Sequence, residues 1–342
     1  MLTGSAAEAS DDMCPPGFLT DALRGALESS CAGRVAYDVS MADISRWRVG
    51  GIADCVVRPS SVGQLMAVQN ILRNARCPYF VIGATSNLLF TDERLRAVCV
   101  QIGDQFSEVT THDGLIQVQS GAWVPGVARK IMQAGYTGAE HICGIPGTMG
   151  GLICMNGGSQ RKGIGHNIVS VTSLTRDGKL RTRDRDQCQF AYRQSVFQRN
   201  QEIILNIVLA FDKAHSIAAV RREMLSILRS RRRKFPQHLP NCGSVFKSNP
   251  AMYDKVGPPG AIIERLGLKG MVLGEAQISP EHGNFIINTG RAKARDILAL
   301  IQHIALCVQQ ATGFTMEVEA SYVDSLGAMH DPLDVEIGVG CT

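Results

Sequence analysis

The segment Gly144-Ile-Pro-Gly-Thr-Met-Gly-Gly151 is the most glycine-rich stretch of the chain, and it continues to Asn156-Gly157-Gly158. A second glycine-containing segment, Ile82-Gly-Ala-Thr-Ser-Asn-Leu-Leu89, follows a predicted strand at 79–82. Glycine lets the backbone approach a ligand closely, and clustered N–H groups can hold a phosphate. Each segment alone is more typical of a tight turn. Two of them in one domain favour an extended cofactor that carries a diphosphate.

Neither segment matches GxGxxG at the start of a long helix or GxxxxGK[ST], so the Rossmann and P-loop signatures are absent. Around them, apolar periodicity predicts short strands and helices up to residue 213, where the sequence changes character. Predicted helices cover 19–27, 61–74, 124–134, 217–233, 261–266 and 292–312. Predicted strands cover 55–57, 79–82, 98–102, 116–118, 169–174, 180–183, 203–211, 276–278, 285–287 and 316–323.

The overall composition excludes several classes of protein. A length of 342 residues indicates two or three domains, and 45% hydrophobic with 19% charged residues excludes a mostly disordered chain. The net charge of +4 is too small to indicate a nucleic-acid partner. No apolar run reaches the length of a membrane span and no secretory signal is recognisable, so we expect a cytosolic protein.

The cysteine pattern points to reduced thiols. The chain has 11 cysteines, an odd number, at wide spacing and without a CxxC pair. This spacing argues against a disulfide framework and against a zinc cluster. We therefore expect free thiols in a reducing compartment and no metal site.

Three segments carry charged side chains that could contact a ligand, and each has two interpretations. The basic run at 229–234 is a solvated helix end or a phosphate-binding site. Arg193 lies between aromatic residues in Phe190-Ala-Tyr192-Arg193-Gln-Ser195-Val-Phe197, as a stacked structural side chain or a carboxylate ligand. Glu317 and Glu319 would point to the same side of an alternating strand, either towards solvent or into a site.

Ser244 lies in the segment Asn241-Cys-Gly243-Ser244-Val-Phe246-Lys247-Ser-Asn249-Pro250. This segment does not match the GxSxG nucleophile motif, and a hydrolase would also need a histidine base. His282 is available, but nothing in the sequence connects it with Ser244. A hydrolase is therefore a minor hypothesis, and Cys242 as a nucleophile is weaker still.

Taken together, these segments resemble the UDP-N-acetylenolpyruvoylglucosamine reductase family, also called UDP-N-acetylmuramate dehydrogenase or MurB, flavoproteins of peptidoglycan precursor synthesis. The resemblance covers residues 45–323 and is specific because the motifs occur in the same order and spacing. The motifs are Trp47-Arg-Val-Gly50-Gly51, Ile82-Gly-Ala-Thr-Ser-Asn-Leu-Leu89, Gly144-Ile-Pro-Gly-Thr-Met-Gly-Gly151 with Met155-Asn-Gly157, Tyr192-Arg-Gln-Ser195, Arg231 to Pro236, Gly243-Ser-Val-Phe-Lys247, Ile262-Ile-Glu-Arg-Leu-Gly-Leu-Lys-Gly270 and His282-Gly-Asn-Phe285.

The resemblance implies an α+β fold. Two subdomains of the vanillyl-alcohol-oxidase or PCMH type would hold FAD non-covalently, and a C-terminal α+β domain would bind the substrate. We expect a mobile extension over 1–34, the FAD-binding domain over 35–213 with a split near 103, the substrate domain over 214–325, and a tail over 326–342. The short interval between Arg193 and Ser244 resembles the subtype that lacks an inserted Tyr-bearing loop.

The resemblance also implies a reaction and a set of site residues. NADPH and FAD would reduce the enolpyruvyl group of a UDP-sugar; Arg193 and Glu319 would stabilise the enolate and Ser244 would donate a proton. The implied FAD contacts are Gly83, Ala84, Thr85, Ser86, Asn87, Leu88, Gly144, Ile145, Pro146, Gly147, Thr148, Gly150, Gly151, Asn156, Gly157 and Arg231. The implied substrate contacts are Tyr192, Lys247, Asn249, His282 and Asn284. We expect no nucleic-acid, membrane or obligate protein partner.

Three departures from the family pattern keep two other functions open. Thr85 replaces the second glycine of the usual G-x-G-S-N, Gly158-Ser-Gln-Arg161 replaces a small residue followed by an aromatic one, and Ser248 separates Lys247 from Asn249. The first alternative is the same chemistry on a different sugar nucleotide in a secondary pathway. The second is a flavin-binding protein without catalytic activity.

Overall fold

The computed structural model describes residues 19–248 and 250–337. Its first subdomain contains a four-stranded sheet with mixed strand directions. The elements are the helices α1 (Asp21–Ser30), α2 (Met41–Ile44) and α3 (Val62–Asn74) and the strands β1 (Val35–Ser40), β2 (Ile52–Val57), β3 (Tyr79–Ile82), β4 (Leu88–Phe90) and β5 (Leu95–Gln101). The sheet order is β1-β2-β5-β3, with β1 antiparallel to β2 and the other neighbours parallel.

Helix α1 is part of the core of this subdomain. Thr20 caps the helix by accepting a hydrogen bond from the Leu23 amide at 3.2 Å. The side chains of Leu23, Leu27 and Cys31 are buried in the apolar cluster that also contains the inner face of α3. The helix predicted over 19–27 is present as part of α1, an amphipathic helix that buries its apolar face, so we propose that the extension over 1–34 packs on the subdomain from residue 19 onward. The rest of that extension lies outside the described residues.

We expect Leu27→Ala to lower the free energy of unfolding by about 2 kcal/mol, because it deletes a fully buried side chain at an edge that can partly collapse. Denaturant unfolding of the purified protein measures this loss. Ser29→Ala, on the exposed side of the same helix, is the matched control. Equal stability of the two variants would contradict the packing of α1.

The second subdomain is built on a five-stranded antiparallel sheet. Its elements are β6 (Val109–His112), β7 (Leu115–Gln119), β9 (Ile168–Leu174), β10 (Leu180–Asp184), β11 (Ile203–Ala210), the short pair β8 (Tyr136–Thr137) and β12 (Asp212–Lys213), and the helices α4 (Val124–Gln133), α5 (Met149–Cys154) and α6 (Val196–Asn200). The sheet order is β10-β9-β11-β7-β6. We propose that the two subdomains divide between β5 and β6, near residue 103.

The long helix α7 (Ile217–Lys234) packs against the second subdomain. Its buried residues Val220, Met224 and Ile227 belong to the same apolar cluster as helix α4 and strand β11. This packing differs from the prediction, which assigned α7 to the substrate domain because the sequence changes character after residue 213. We therefore propose that the C-terminal domain begins near residue 235.

The C-terminal domain combines a small sheet with one long helix. It contains α8 (Pro250–Tyr253), α9 (Pro259–Arg265), β13 (Val272–Leu273), β14 (Ala276–Ile278), β15 (Ile286–Asn288), α10 (Ala294–Thr312), β16 (Ser321–Val323) and β17 (Met329–His330). The predicted strand over 316–323 is wrong in its first half, because only a single bridge joins Val318 to Phe246 before β16 begins. Strand β16 pairs in parallel with β4 and antiparallel with β17.

Residues 326–337, within the predicted tail, dock on the C-terminal domain. The Gln302 amide donates to the carbonyls of Pro332 at 3.0 Å and Val335 at 2.8 Å.

In the described part of the chain, the nine cysteines present are all free thiols. The same residues contain no helix that is long and apolar enough to cross a membrane.

Candidate active site

The two glycine-rich segments face each other in the structure. An ideal Cβ on Gly83 would collide with the hydroxyl of Thr148, and one on Gly147 would lie 3.0 Å from the Ser86 hydroxyl. Gly147 also has a φ of +147°, which other residues rarely adopt. The glycines therefore let the two segments approach each other, and we call the two facing segments the glycine-rich surface.

The contacts of Thr85 show how this residue can replace the glycine that the family usually has at this position. It has a φ of +54°, a left-handed conformation that costs a β-branched residue free energy. Its buried hydroxyl accepts a hydrogen bond from the Arg46 amide at 3.1 Å and lies 3.1 Å from the Ile44 carbonyl. These contacts hold Thr85 in a conformation that glycine adopts without strain.

Arg231 is a half-buried cation beside the second glycine-rich segment. A Cβ on Gly144 would lie 2.5 Å from the Arg231 side chain. Burial lowers the pKa of the guanidinium, and among the described residues no group accepts a hydrogen bond from its Nε. A half-buried guanidinium without a carboxylate partner suits an anionic ligand such as a diphosphate. The neighbouring Arg232, Arg233 and Lys234 are exposed, as in a solvated helix end.

The other predicted FAD contacts lie on the same two segments. The side chains of two of them, Asn156 and Asn87, have hydrogen-bond partners within the protein. The Asn156 side chain donates to the Ala191 carbonyl at 2.8 Å and accepts from the Gly165 amide at 2.9 Å. The Asn87 side chain donates to the Glu319 carbonyl at 2.8 Å. Along these segments lie Ala84, Leu88, Ile145, Pro146, Gly150, Gly151 and Gly157.

We expect Arg231→Met to weaken FAD binding about tenfold or more, because it removes charge-assisted hydrogen bonds to an anionic group at a half-buried position. Titration of the flavin-free protein with FAD, followed by flavin fluorescence, measures the dissociation constant. Arg232→Met, on the exposed end of the same helix, is the matched control. Equal FAD affinity of the two variants would exclude Arg231 as a cofactor contact.

Arg193 and Glu319 form an ion pair in a partly enclosed position. The Arg193 Nε lies 2.6 Å from the Glu319 Oε1, and the two side chains are only 18% and 16% exposed. Burial raises the pKa of the Glu319 carboxyl, and the charges of Arg193 and Lys247 oppose this shift without cancelling it. Two of the three predicted catalytic side chains, Arg193 and Glu319, are therefore in contact.

The loop that carries Arg193 is fixed to the segment that follows α5. Arg193 has a φ of +56°, so its backbone is held in an uncommon conformation. The Ser195 hydroxyl donates to the Cys154 carbonyl at 2.6 Å, and the Arg193 guanidinium donates to the Gly158 carbonyl at 3.3 Å. These bonds and the Asn156 bond to Ala191 aim Arg193 towards Glu319.

Ser244 lies next to the Glu319 backbone. Gly243 turns the chain at a φ of +82°, and Val245 accepts a hydrogen bond from the Glu319 amide at 2.7 Å. The Asn284 side chain bonds both backbone groups of Phe246 at 2.9 Å. Ser244 is half-buried, and among the described residues its hydroxyl has no hydrogen-bond partner. The third predicted catalytic residue thus precedes, in sequence, the residue whose carbonyl binds the Glu319 amide.

A cleft of about 460 Å³ opens over the ion pair. Lys247 lies in it and approaches Glu317, with 3.4 Å between Nζ and Oε2. Glu317 is 66% exposed, whereas Glu319 is 16% exposed, so the two carboxylates differ in environment although they lie on one side of the segment. The cleft is lined by Met155, Gln189, Arg193, Gln194, Ser195, Gln198, Arg199, Lys247, Val318, Glu319, Ala320, Ser321, Met329, His330 and Asp331.

The other predicted substrate contacts are not among the residues that line this cleft, and those described have partners of their own. The Tyr192 hydroxyl, on a ring that is 53% exposed, accepts a hydrogen bond from the Ser248 amide at 3.1 Å. His282 packs against Phe235 and Phe285, and burial lowers its pKa. Asn249 lies outside the described residues. No hydrogen bond joins His282 to Ser244 in the described chain, so the hydrolase hypothesis gains no support.

Sequence reasoning missed the residues that position Arg193. Ser195 and Gln198 form a capping box at the start of α6, and the Gln198 amide also donates to the Arg193 carbonyl at 3.4 Å. The Ser-x-x-Gln spacing is the signal that could have identified them. Nothing in the sequence indicated that His330 and Asp331 line the cleft, because they follow the last recognised motif.

The fold and the glycine-rich surface first identify the class of protein to which the chain belongs. Residues 53–183, which include both faces of the glycine-rich surface, match a family model described as an FAD-binding domain. The chain is therefore an FAD flavoprotein with an α+β fold. Residues 235–323, which carry Ser244 and Glu319, match the model described as the C-terminal domain of UDP-N-acetylenolpyruvoylglucosamine reductase.

Whole-chain relatives establish the family. UDP-N-acetylenolpyruvoylglucosamine reductase 1 of Corynebacterium glutamicum is 40% identical over 90% of this chain and 92% of its own. The reductase of Halalkalibacterium halodurans is 33% identical over 85% of this chain and 95% of its own. The crystal structure of the Thermus caldophilus reductase (MurB) aligns with a TM-score of 0.71 at 28% identity, over 84% of this chain and 98% of its own. The chain belongs to the UDP-N-acetylenolpyruvoylglucosamine reductase family.

Proposed function

We propose that this protein reduces the enolpyruvyl group of UDP-N-acetylglucosamine enolpyruvate to give UDP-N-acetylmuramate, with NADPH as reductant. The reaction serves peptidoglycan precursor synthesis, and we place it in the cytoplasm. The observation that carries the proposal is the Arg193–Glu319 ion pair, with Ser244 next in sequence to Val245, whose carbonyl accepts a hydrogen bond from the Glu319 amide. The family relationship over most of the chain favours this substrate over the two alternatives.

The residues present fit FAD. The glycine-rich surface allows a ligand to approach the backbone closely, and Arg231 offers a buried Nε that has no hydrogen-bond partner within 19–248 and 250–337. Gly83, Ser86, Gly147 and Thr148 would line the cofactor, and Arg231 would face its diphosphate. When bound, FAD supplies hydride that originates from NADPH.

Arg193 and Glu319 are suited to the substrate carboxylate. Addition of hydride to the vinyl carbon remote from the carboxylate leaves negative charge on the carboxylate and the adjacent carbon. A fixed guanidinium stabilises this charge electrostatically. Burial raises the pKa of Glu319, so its carboxyl takes up a proton more readily than an exposed one, and the protonated form would donate a hydrogen bond to the same group.

Ser244 is suited to complete the reaction. Its hydroxyl donates a proton to the carbon that bears the negative charge, so that hydride and proton together saturate the double bond. Lys247, on the other side of the cleft from the Arg193 loop, would attract the anionic part of the substrate. Because free serine is a very weak acid, the neighbouring charges of Arg193 and Lys247 would assist this transfer.

An anaerobic NADPH-oxidation assay with the enolpyruvyl sugar nucleotide tests this function. We expect the purified, FAD-loaded protein to consume one NADPH per enolpyruvyl nucleotide and to form the lactyl ether. NADPH oxidation that does not depend on the enolpyruvyl nucleotide would contradict the proposed substrate. A flavin that NADPH does not reduce would contradict the proposed activity as a whole.

A further inference from the structure

The strand that follows the matched C-terminal domain forms one wall of the cleft. The family model ends at residue 323, and β17 continues the sheet beyond it by pairing with β16. Met329, His330 and Asp331 line the same cleft as Arg193, Glu319 and Lys247. Residues outside the matched domains therefore contribute directly to the ligand-binding space.

His330 is held in one orientation by Asp324. The His330 Nε2 lies 2.7 Å from the Asp324 Oδ2. The other carboxylate oxygen of Asp324 accepts hydrogen bonds from the amides of Leu326 at 2.8 Å and Ala328 at 2.9 Å, so the turn fixes the carboxylate. Because a carboxylate can only accept hydrogen bonds here, Nε2 carries a proton and Nδ1 is the ring nitrogen left for a ligand.

The charges around His330 favour an anionic ligand. Arg199 and Lys247 add positive charge to the lining of the cleft, whereas Arg193 and Glu319 offset each other. The carboxylate of Asp331, which also lines the cleft, accepts a hydrogen bond from the Leu333 amide at 2.9 Å within its own turn. The His330 side chain is 45% exposed, so its ring can reach a ligand without a rearrangement of the core.

We propose that His330, oriented by Asp324, binds a phosphate oxygen of a nucleoside diphosphate in the cleft. A ring that donates from Nε2 to Asp324 and from Nδ1 to phosphate is an imidazolium, which adds a positive charge to the contact. The proposal rests on the proposed function because both substrates of that reaction, the sugar nucleotide and NADPH, carry a diphosphate. His330 would thus be a binding residue supplied by the C-terminal strand.

Two substitutions separate the roles of the two ring nitrogens. The amide of His330→Asn replaces Nδ1, and the amide of His330→Gln replaces Nε2. If Nδ1 contacts phosphate, His330→Gln weakens binding about tenfold, as expected for loss of a hydrogen bond to a charged group, and His330→Asn retains part of the affinity. His112→Asn is the matched control, because His112 also pairs with a carboxylate, Asp113, but lies on β6 away from the cleft.

Calorimetric titration of the FAD-loaded protein with UDP and, separately, with NADP⁺ measures the effect, together with KM and kcat for both substrates. Weaker binding of UDP with a higher KM for the sugar nucleotide at an unchanged kcat supports contact with that substrate. The same result for NADP⁺ alone supports contact with NADPH. Unchanged affinity for both probes, or equal loss in His330→Asn and His330→Gln, overturns the proposal. A wild-type protein that binds UDP but reduces no enolpyruvyl nucleotide contradicts only the proposed function.

Discussion

Ser244→Ala is expected to slow reduction of the enolpyruvyl group by about 10²–10⁴-fold, the range for loss of a general acid. The substitution removes the hydroxyl that has no other partner among the described residues and lies beside the Glu319 backbone. NADPH should still bleach the flavin at a near-native rate, because that half-reaction needs no proton from Ser244. Stopped-flow traces of the two half-reactions measure both rates.

Ser248→Ala is the matched control for this experiment. Ser248 follows in the same segment, and its hydroxyl accepts a hydrogen bond from Tyr253 at 3.0 Å. Ser244→Cys should retain part of the activity because a thiol can also donate a proton. If Ser244 only caps a turn, its alanine variant loses about 1 kcal/mol of stability with catalysis intact. Normal oxidation of the reduced enzyme by substrate in that variant would remove Ser244 from the mechanism.

Arg193→Ala is expected to cost about 3–4 kcal/mol of transition-state stabilisation, similar to loss of an oxyanion-hole donor. The guanidinium is fixed by its loop and ion pair, so no flexible neighbour replaces it. The rate of the substrate half-reaction should fall by about 10²–10³-fold, whereas flavin reduction by NADPH should change less. Single-turnover kinetics of each half-reaction test this, and an equal fall in both would contradict the assigned role.

Glu319 and Glu317 provide an internal comparison for the same half-reaction. Glu319→Gln keeps a neutral hydrogen-bond donor and should retain more activity than Glu319→Ala, because its amide can donate the hydrogen bond that we propose for the protonated carboxyl, whose pKa burial raises. In the wild type, higher pH removes that proton, so the rate should decline with pH. The decline should flatten in Glu319→Gln. Glu317→Gln, at an exposed position, should leave the rate and its pH dependence unchanged.

Local periodicity predicted most of the regular elements because their apolar faces are buried as the pattern requires. Strands β3 and β14 begin and end at the predicted residues, and α3 begins one residue after the predicted start, Ser61, whose hydroxyl accepts a hydrogen bond from the Gln64 amide. The α+β fold and the FAD-binding domain implied by the resemblance are confirmed by the family and structural matches. The roles of the individual site residues stay predictions.

The errors arose where tertiary contacts decide the structure. The position of α7 depends on Val220, Met224 and Ile227 meeting the second subdomain, and sequence spacing contains no information about that partner. The segment before β16 alternates like a strand, yet its only paired residue among those described is Val318. His330 could not be recognised as a residue of the cleft, because it reaches the cleft only when β17 pairs with β16. No local sequence pattern indicates this pairing.

The parallel pairing of β4 with β16 also determines when the site can form during synthesis. Asn87 donates to the Glu319 carbonyl across 232 positions of sequence, and Ser321 donates back to the Asn87 carbonyl at 3.0 Å. Domains generally fold as units from the N-terminus while the ribosome is still translating. A nascent chain can thus complete its flavin-binding subdomains long before β16 leaves the exit tunnel. Closing this contact is expected to be a late step of folding, so a prematurely terminated chain would have a cofactor domain but no catalytic carboxylate.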